Sequence, residues 1–139
     1  YVYSVDGTAL LRFQADVLDE LAFLNRLEPE IKIFRFAKSD ESFEELSEQE
    51  QQGEAMNLRN GFNYGKKVVT TAACDMLILD EVLGVIDEKV VTPQEMQELF
   101  ENKPDDMTLI CTGRVLEDSI RPYVDEIYNI APEKIRIDE

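Results

Sequence analysis

Two short runs in this sequence end in groups able to do chemistry. Met76 to Leu79 (MLIL) is continuously apolar and is followed by Asp80-Glu81; Met107 to Thr112 (MTLICT) is followed by Gly113-Arg114. An apolar run without alternation fits a strand covered on both faces, which makes both runs candidates for central strands. Two acids at the tip of such a strand form the pattern of a Walker B segment. Mg²⁺ takes hard oxygen ligands, and a carboxylate at a strand tip can hold the ion or its water beside a triphosphate. The second carboxylate can accept a proton or orient a substrate group. Acids after a strand also serve as the cap of the next helix, so the pair alone fits both readings. Gly113 lets the backbone turn sharply and approach a ligand. Arg114 can clamp a phosphate with its fork of donors, although a surface arginine after a turn looks the same in sequence.

Missing residue types narrow the chemistry further. The chain has no histidine, which removes Ser–His–Asp and Cys–His catalysis, His-ligated zinc and a histidine pH switch. Cys74 and Cys111 are far apart and make no C-x-x-C pair, so two reduced, mostly buried thiols in a reducing, cytoplasmic setting are expected. A phosphate-gripping G-x-x-x-x-G-K-[ST] loop belongs after the first strand of a nucleotide-binding sheet. Here YVYS is followed by VDGTALL, with no lysine before Lys32.

The elements that must position these residues follow from periodicity. The 139 residues amount to one domain, and 44% apolar content suffices for a core. Tyr1–Ser4, Thr8–Phe13, Ile31–Phe36 and Glu126–Ile130 (EIYNI) read as strands besides the two apolar runs. Asp6-Gly7 is a turn signal. Val17, Leu21, Leu24 and Leu27 mark a helix over Asp16–Leu27, and Ala55, Leu58, Phe62, Gly65, Val69 and Ala72 mark a longer one. Thr92-Pro93-Gln94-Glu95 is a capping box opening a helix over Pro93–Phe100, and a short helix is expected near Leu116–Tyr123. Lys38–Gln52 is acidic and polar, read as a solvated loop or exposed helix start. Alternating helices and strands imply a mostly parallel α/β sheet with helices on both faces and its ligand site at the carboxyl ends of the strands. With 30 acidic and 14 basic residues the net charge is −16, which disfavours nucleic acid and anionic membrane surfaces as partners. No apolar stretch is long enough to span a membrane.

Taken together, Leu79-Asp80-Glu81, Lys103-Pro104, Thr112-Gly113-Arg114 and Asp125-Glu126-Ile127 resemble the C-terminal half of the ATP:corrinoid adenosyltransferases of the cob(I)yrinic acid a,c-diamide adenosyltransferase type. The segment DELAFLNRLEPEIKIFRF is similar to that family's second helix and third strand, and the order and spacing match over roughly residues 8 to 130. The resemblance implies a P-loop NTPase-like (RecA-like) fold. It implies transfer of the 5′-deoxyadenosyl group of ATP to the cobalt of a reduced corrinoid, whose Co(I) is itself the nucleophile. ATP, Mg²⁺ and the corrinoid would be the ligands, with a homodimer left open. Asp80 and Glu81 would sit at Mg²⁺, Glu81 with the catalytic role, while Ser4 and Arg114 would contact phosphates.

Two features depart from the family pattern. The phosphate loop and the helix after it are missing between Ser4 and Thr8, and three residues cannot make a parallel crossover. An omitted segment is therefore the favoured explanation. The family's tryptophan-containing corrinoid-side loop has no tryptophan here; Phe43 is its nearest aromatic stand-in, or else an anchor of that loop to the core. The alternative readings are a degenerate P-loop-like module that binds a nucleotide or a protein without catalysis, and an acidic interaction domain.

Overall fold

The computed structural model describes residues 8–13, 31–37 and 43–133. Four strands, β1 (Thr8–Arg12), β2 (Ile31–Arg35), β3 (Met76–Asp80) and β4 (Thr108–Cys111), form one sheet in the order β2-β1-β3-β4. Every neighbouring pair is parallel. Parallel neighbours need long crossovers, and α1 (Glu48–Thr70), α2 (Leu83–Asp87) and α3 (Pro93–Glu101) lie in those connections. This is the expected P-loop-like α/β arrangement. The strand expected at Tyr1–Ser4, the turn at Asp6-Gly7 and the helix over Asp16–Leu27 lie outside the described residues, as does Lys38–Ser42 of the acidic segment.

The core identifies which sheet face the described helices cover. Ala9, Leu11, Leu77, Leu79, Leu109 and Cys111 belong to one apolar cluster with Leu58 and Phe62 of α1, Val85 of α2 and Met96 of α3. These strand residues alternate, as side chains on one face must. Leu10 and Arg12 point to the opposite face and are also buried, so β1 is covered on both sides.

β3 lies between β1 and β4, as its apolar run implies, but β4 corrects the expectation of a second central strand. It is the edge strand among the described residues; Thr108 and Ile110 are exposed, while Leu109 and Cys111 are half-buried. The buried residue of MTLICT is Met107, just ahead of the strand. Uniform apolar character thus does not reveal that one face is open.

Glu126–Ile130 is likewise not a strand: it is irregular and exposed, and it pairs with none of the four strands of the sheet. The helix expected near Leu116–Tyr123 is a 3-10 helix over Asp118–Tyr123, with Pro122 inside it supplying no N–H. Both cysteines are free, Cys74 buried and Cys111 half-buried. Burial pushes the Cys111 thiol up to about 12.

α1 begins earlier than the apolar stripe suggests. Ser47 caps it, accepting the Glu50 N–H at 3.2 Å while its own N–H donates to Glu50 Oε1. The stretch Glu48–Gln52 is therefore helix rather than loop, and glutamate and glutamine are good helix formers. Leu46 is buried just ahead of the cap and anchors the entry. At the other end the stripe overreaches: Ala72 is past the helix and exposed. Arg59 fastens α1 to the next layer by donating to the Val90 carbonyl, pairing with Glu95 and lying 5.7 Å from the Phe62 ring centroid. Glu95 is also the capping-box acid of α3, and the Arg59 hydrogen bond holds its carboxyl down to about 2.

The glycines of α1 differ in purpose. At Gly61 a Cβ would meet the Phe36 ring at 2.5 Å and the Phe13 ring at 2.9 Å. At Gly65 the nearest atom would be at an ordinary 3.4 Å, and at Gly53 nothing lies within 4 Å. Gly61 is thus the position where helix and sheet edge approach too closely for any side chain. Gly53→Ala is expected to stabilise the protein by about 0.5–1 kcal/mol through helix propensity. Gly61→Ala is expected to destabilise it by about 1–3 kcal/mol through overpacking. Urea unfolding of the two variants, which share one chemical change on one helix, checks the pair.

Candidate functional site

The carboxyl edge of the sheet gathers the two charged strand ends. The register pairs Leu79 with Cys111, which brings Asp80 level with Thr112, and it pairs Asp80 with Arg12 of β1. The Phe13 N–H donates to the Asp80 carbonyl at 3.0 Å, and the Thr112 N–H donates to the Leu79 carbonyl at 3.2 Å. The backbone on both sides of β3 is thereby tied up to its last residue.

Thr112 then joins the two motifs through its side chain. Its hydroxyl donates to Asp80 Oδ1 at 3.0 Å and accepts the Glu81 N–H at 2.8 Å. Its carbonyl accepts the Leu83 N–H at 3.2 Å, which fixes the start of α2 against the tip of β4. The close approach explains Gly113: a Cβ there would meet the Leu83 Cβ at 2.4 Å, too close for any side chain. Thr112-Gly113 and Asp80-Glu81 thus form one interlocked turn rather than two separate strand ends.

Electrostatics place Glu81 between unlike neighbours. Burial and the Asp80 charge push its carboxyl above the usual range, and the Arg114 guanidinium works the other way. Arg114 itself is exposed, as a ligand-facing cation at a strand end can be. Asp80, Glu81 and Arg114 therefore share one edge. Ser4 lies outside the described residues. Phe43 is set in the 3-10 turn Phe43–Glu45; its carbonyl accepts from Gln51 Nε2 at 2.9 Å, and its side chain is half-buried.

Two residues at this edge were not singled out from the sequence. Thr112 entered as a letter of the Thr112-Gly113-Arg114 motif and as the last residue of a strand run, with no role of its own, since a lone threonine gives no sign of what its hydroxyl meets. Arg12 ends the run TALLR and is buried beside Asp80 in the register. A charge inside an apolar run was the available signal for Arg12.

No three acidic, cysteine or histidine residues come together as a metal cage among the described residues. Two adjacent carboxylates are the donor set that suits Mg²⁺, which keeps several waters and takes further ligands from substrate phosphates. Residues 9–139 match the family model described as ATP:corrinoid adenosyltransferase BtuR/CobO/CobP, a span that includes Phe43, Asp80, Glu81, Thr112 and Arg114. No curated protein matches the chain.

A second acidic group lies at the far end of α2. Glu88, the C-cap residue of that helix, feels Glu44 of the 3-10 turn, neighbouring Asp87, and Glu54 of α1, which is itself buried and accepts from Asn57 Nδ2. The Phe43 turn and the Asp80 edge thus approach opposite ends of a helix about 8 Å long. Burial first, then these like charges, push the Glu88 carboxyl up to about 7 from an ordinary 4.5. Between those values the folded state holds more protons than the unfolded one, so stability falls as pH rises through the window. Glu88→Gln, which cannot ionise, is expected to raise the unfolding midpoint at pH 8 and to change it little at pH 4.5. Thermal unfolding across that range checks the sign.

Proposed function

The chain belongs to the ATP:corrinoid adenosyltransferase family, and on that premise we propose that it moves the 5′-deoxyadenosyl group of ATP onto the cobalt of a reduced corrinoid, cob(I)yrinic acid a,c-diamide or cob(I)alamin. Co(I) supplies the electron pair of the new Co–C bond. The C5′–O bond breaks, and triphosphate leaves with the electrons of that bond. The protein itself needs no nucleophile, in keeping with a chain that has no histidine. Its residues bind, align and exclude water that would oxidise the cobalt.

The observation that carries this reading is the interlocked turn at the carboxyl edge, within the matched residues. Asp80 and Glu81 would hold Mg²⁺ or its water, with Glu81 in the catalytic role and partly desolvated where it stands. Bound there, Mg²⁺ would offset the charge of the departing triphosphate. Arg114 would contact a phosphate from the same edge, and Ser4 would mark the start of the phosphate loop. Phe43 would border the corrinoid. The phosphate loop and its helix would belong between Ser4 and Thr8, where the sequence has only Val5, Asp6 and Gly7. A cytoplasmic location agrees with the two free thiols, and among the described residues no helix is long and apolar enough to cross a membrane.

Two measurements test the reading. The encoding gene is expected to carry a G-x-G-K-T-type segment between the codons of Ser4 and Thr8; an uninterrupted YVYSVDGTALL would favour a binding module without catalysis. Glu81→Gln is expected to lower adenosyl transfer on the order of 100-fold. Its ligand-free unfolding midpoint should be unchanged or slightly higher, because a desolvated charge has been removed. A helix-capping acid would behave in the opposite way, losing about 1 kcal/mol of stability and little rate. Thermal unfolding without ligand, paired with the transfer rate on MgATP and a reduced corrinoid, separates the two.

A further inference from the structure

Three non-glycine residues among those described have a left-handed backbone: Ala72 (φ 49°), Glu81 (φ 61°) and Lys89 (φ 62°). Two of them are ordinary. Ala72 follows the C-cap of α1 and Lys89 follows that of α2, the position where helices commonly turn left-handed to satisfy their last carbonyls. The return bonds are present, from Ala73 N–H to the Val68 carbonyl at 3.1 Å and from Val90 N–H to the Val85 carbonyl at 2.9 Å. Glu81 follows a strand, so no helix end accounts for it. A strained residue of this kind persists only where its surroundings over-determine it, and such residues cluster at ligand sites.

The group that holds it is Thr112. A hydroxyl has one proton to donate and lone pairs to accept with. Thr112 donates that proton to Asp80 Oδ1 and accepts the Glu81 N–H. Rotating the hydroxyl breaks the first bond, and moving the side chain breaks both. Its backbone is fixed in turn, through the Leu79 carbonyl on one side and the Leu83 N–H on the other.

We propose that Thr112 is the positioning residue of the nucleotide–cation site: its hydroxyl sets the Asp80 carboxylate and the left-handed turn of Glu81 in the orientation that receives the divalent cation carried by ATP. This rests on the reading of Asp80 and Glu81 as the cation-side acids. Thr112 touches neither cation nor nucleotide and acts through those two residues. A serine keeps both bonds, whereas valine keeps the volume and loses both.

The test uses the full encoded protein with Mn²⁺ and ATP as the probe, reading free Mn²⁺ by electron paramagnetic resonance. Thr112→Val is expected to weaken Mn²⁺·ATP binding about 10- to 100-fold, the usual cost of removing a group that orients a metal ligand. Thr112→Ser is expected to stay within about threefold of the unaltered protein, and the KM for MgATP should follow the same order. Should the valine variant fail to fold, Thr112→Cys, of similar size and a weak donor, takes its place with the same expectation. Thr112→Val or Thr112→Cys binding Mn²⁺·ATP normally, with Asp80→Asn binding it weakly, would overturn the role of Thr112 and leave the cation reading intact. Asp80→Asn binding normally, or an unaltered protein that binds no Mn²⁺·ATP, would overturn the cation reading and this inference with it.

Discussion

The register between β3 and β4 is the constraint on which the site depends. Leu77 pairs with Leu109 and Leu79 with Cys111, and these four residues lie on the face that packs into the common core. A slip of one residue would turn that face toward the opposite side and expose Leu77 and Leu79, which are fully buried. Burial of the apolar face therefore fixes where each strand stops relative to the other. Asp80 and Thr112 are then neighbours as a consequence of packing several residues away.

The same logic extends outward from the edge. Thr112 cannot reach Glu81 unless the tip of β4 and the start of α2 come close, and Gly113 permits that approach by having no Cβ to strike Leu83. α2 is held from behind by Val82 and Val85, both buried in the core. A hydrogen bond to an exposed threonine would contribute little. Here it satisfies an amide whose backbone is left-handed and orients a carboxylate, so its loss would be felt at both residues.

Charge is arranged locally within a chain that is strongly acidic throughout. Arg59 neutralises Glu95 and ties α1 to α3, so its role is architectural. Arg114 is exposed at the edge and is felt by Glu81, a placement open to a phosphate. Burial raises the Glu88 carboxyl most, and its named neighbours Glu44, Asp87 and Glu54, all acids, add to that effect. The protein thus carries two acidic centres at the two ends of α2, one beside a cation and one facing only like charges among the groups acting on it.

The sequence by itself determined the elements whose signals are local. The run MLIL followed by two acids, the capping box at Thr92 and the apolar stripe of α1 are statements about neighbouring residues, and the structure has each in place. The order of motifs, Leu79-Asp80-Glu81 and then Thr112-Gly113-Arg114, was sufficient to indicate the family that residues 9–139 match. Only the tertiary structure decided what depends on distant partners. β4 became an edge strand because no described strand pairs with its other side. EIYNI stayed irregular, paired with none of the strands of the sheet, although its residue types suit a strand. Thr112 acquired its two bonds from residues some thirty positions away, and Gly113 its necessity from Leu83. Periodicity and capping are properties of a few consecutive residues, whereas hydrogen bonds between strand tips exist only once register and burial have fixed which tips meet.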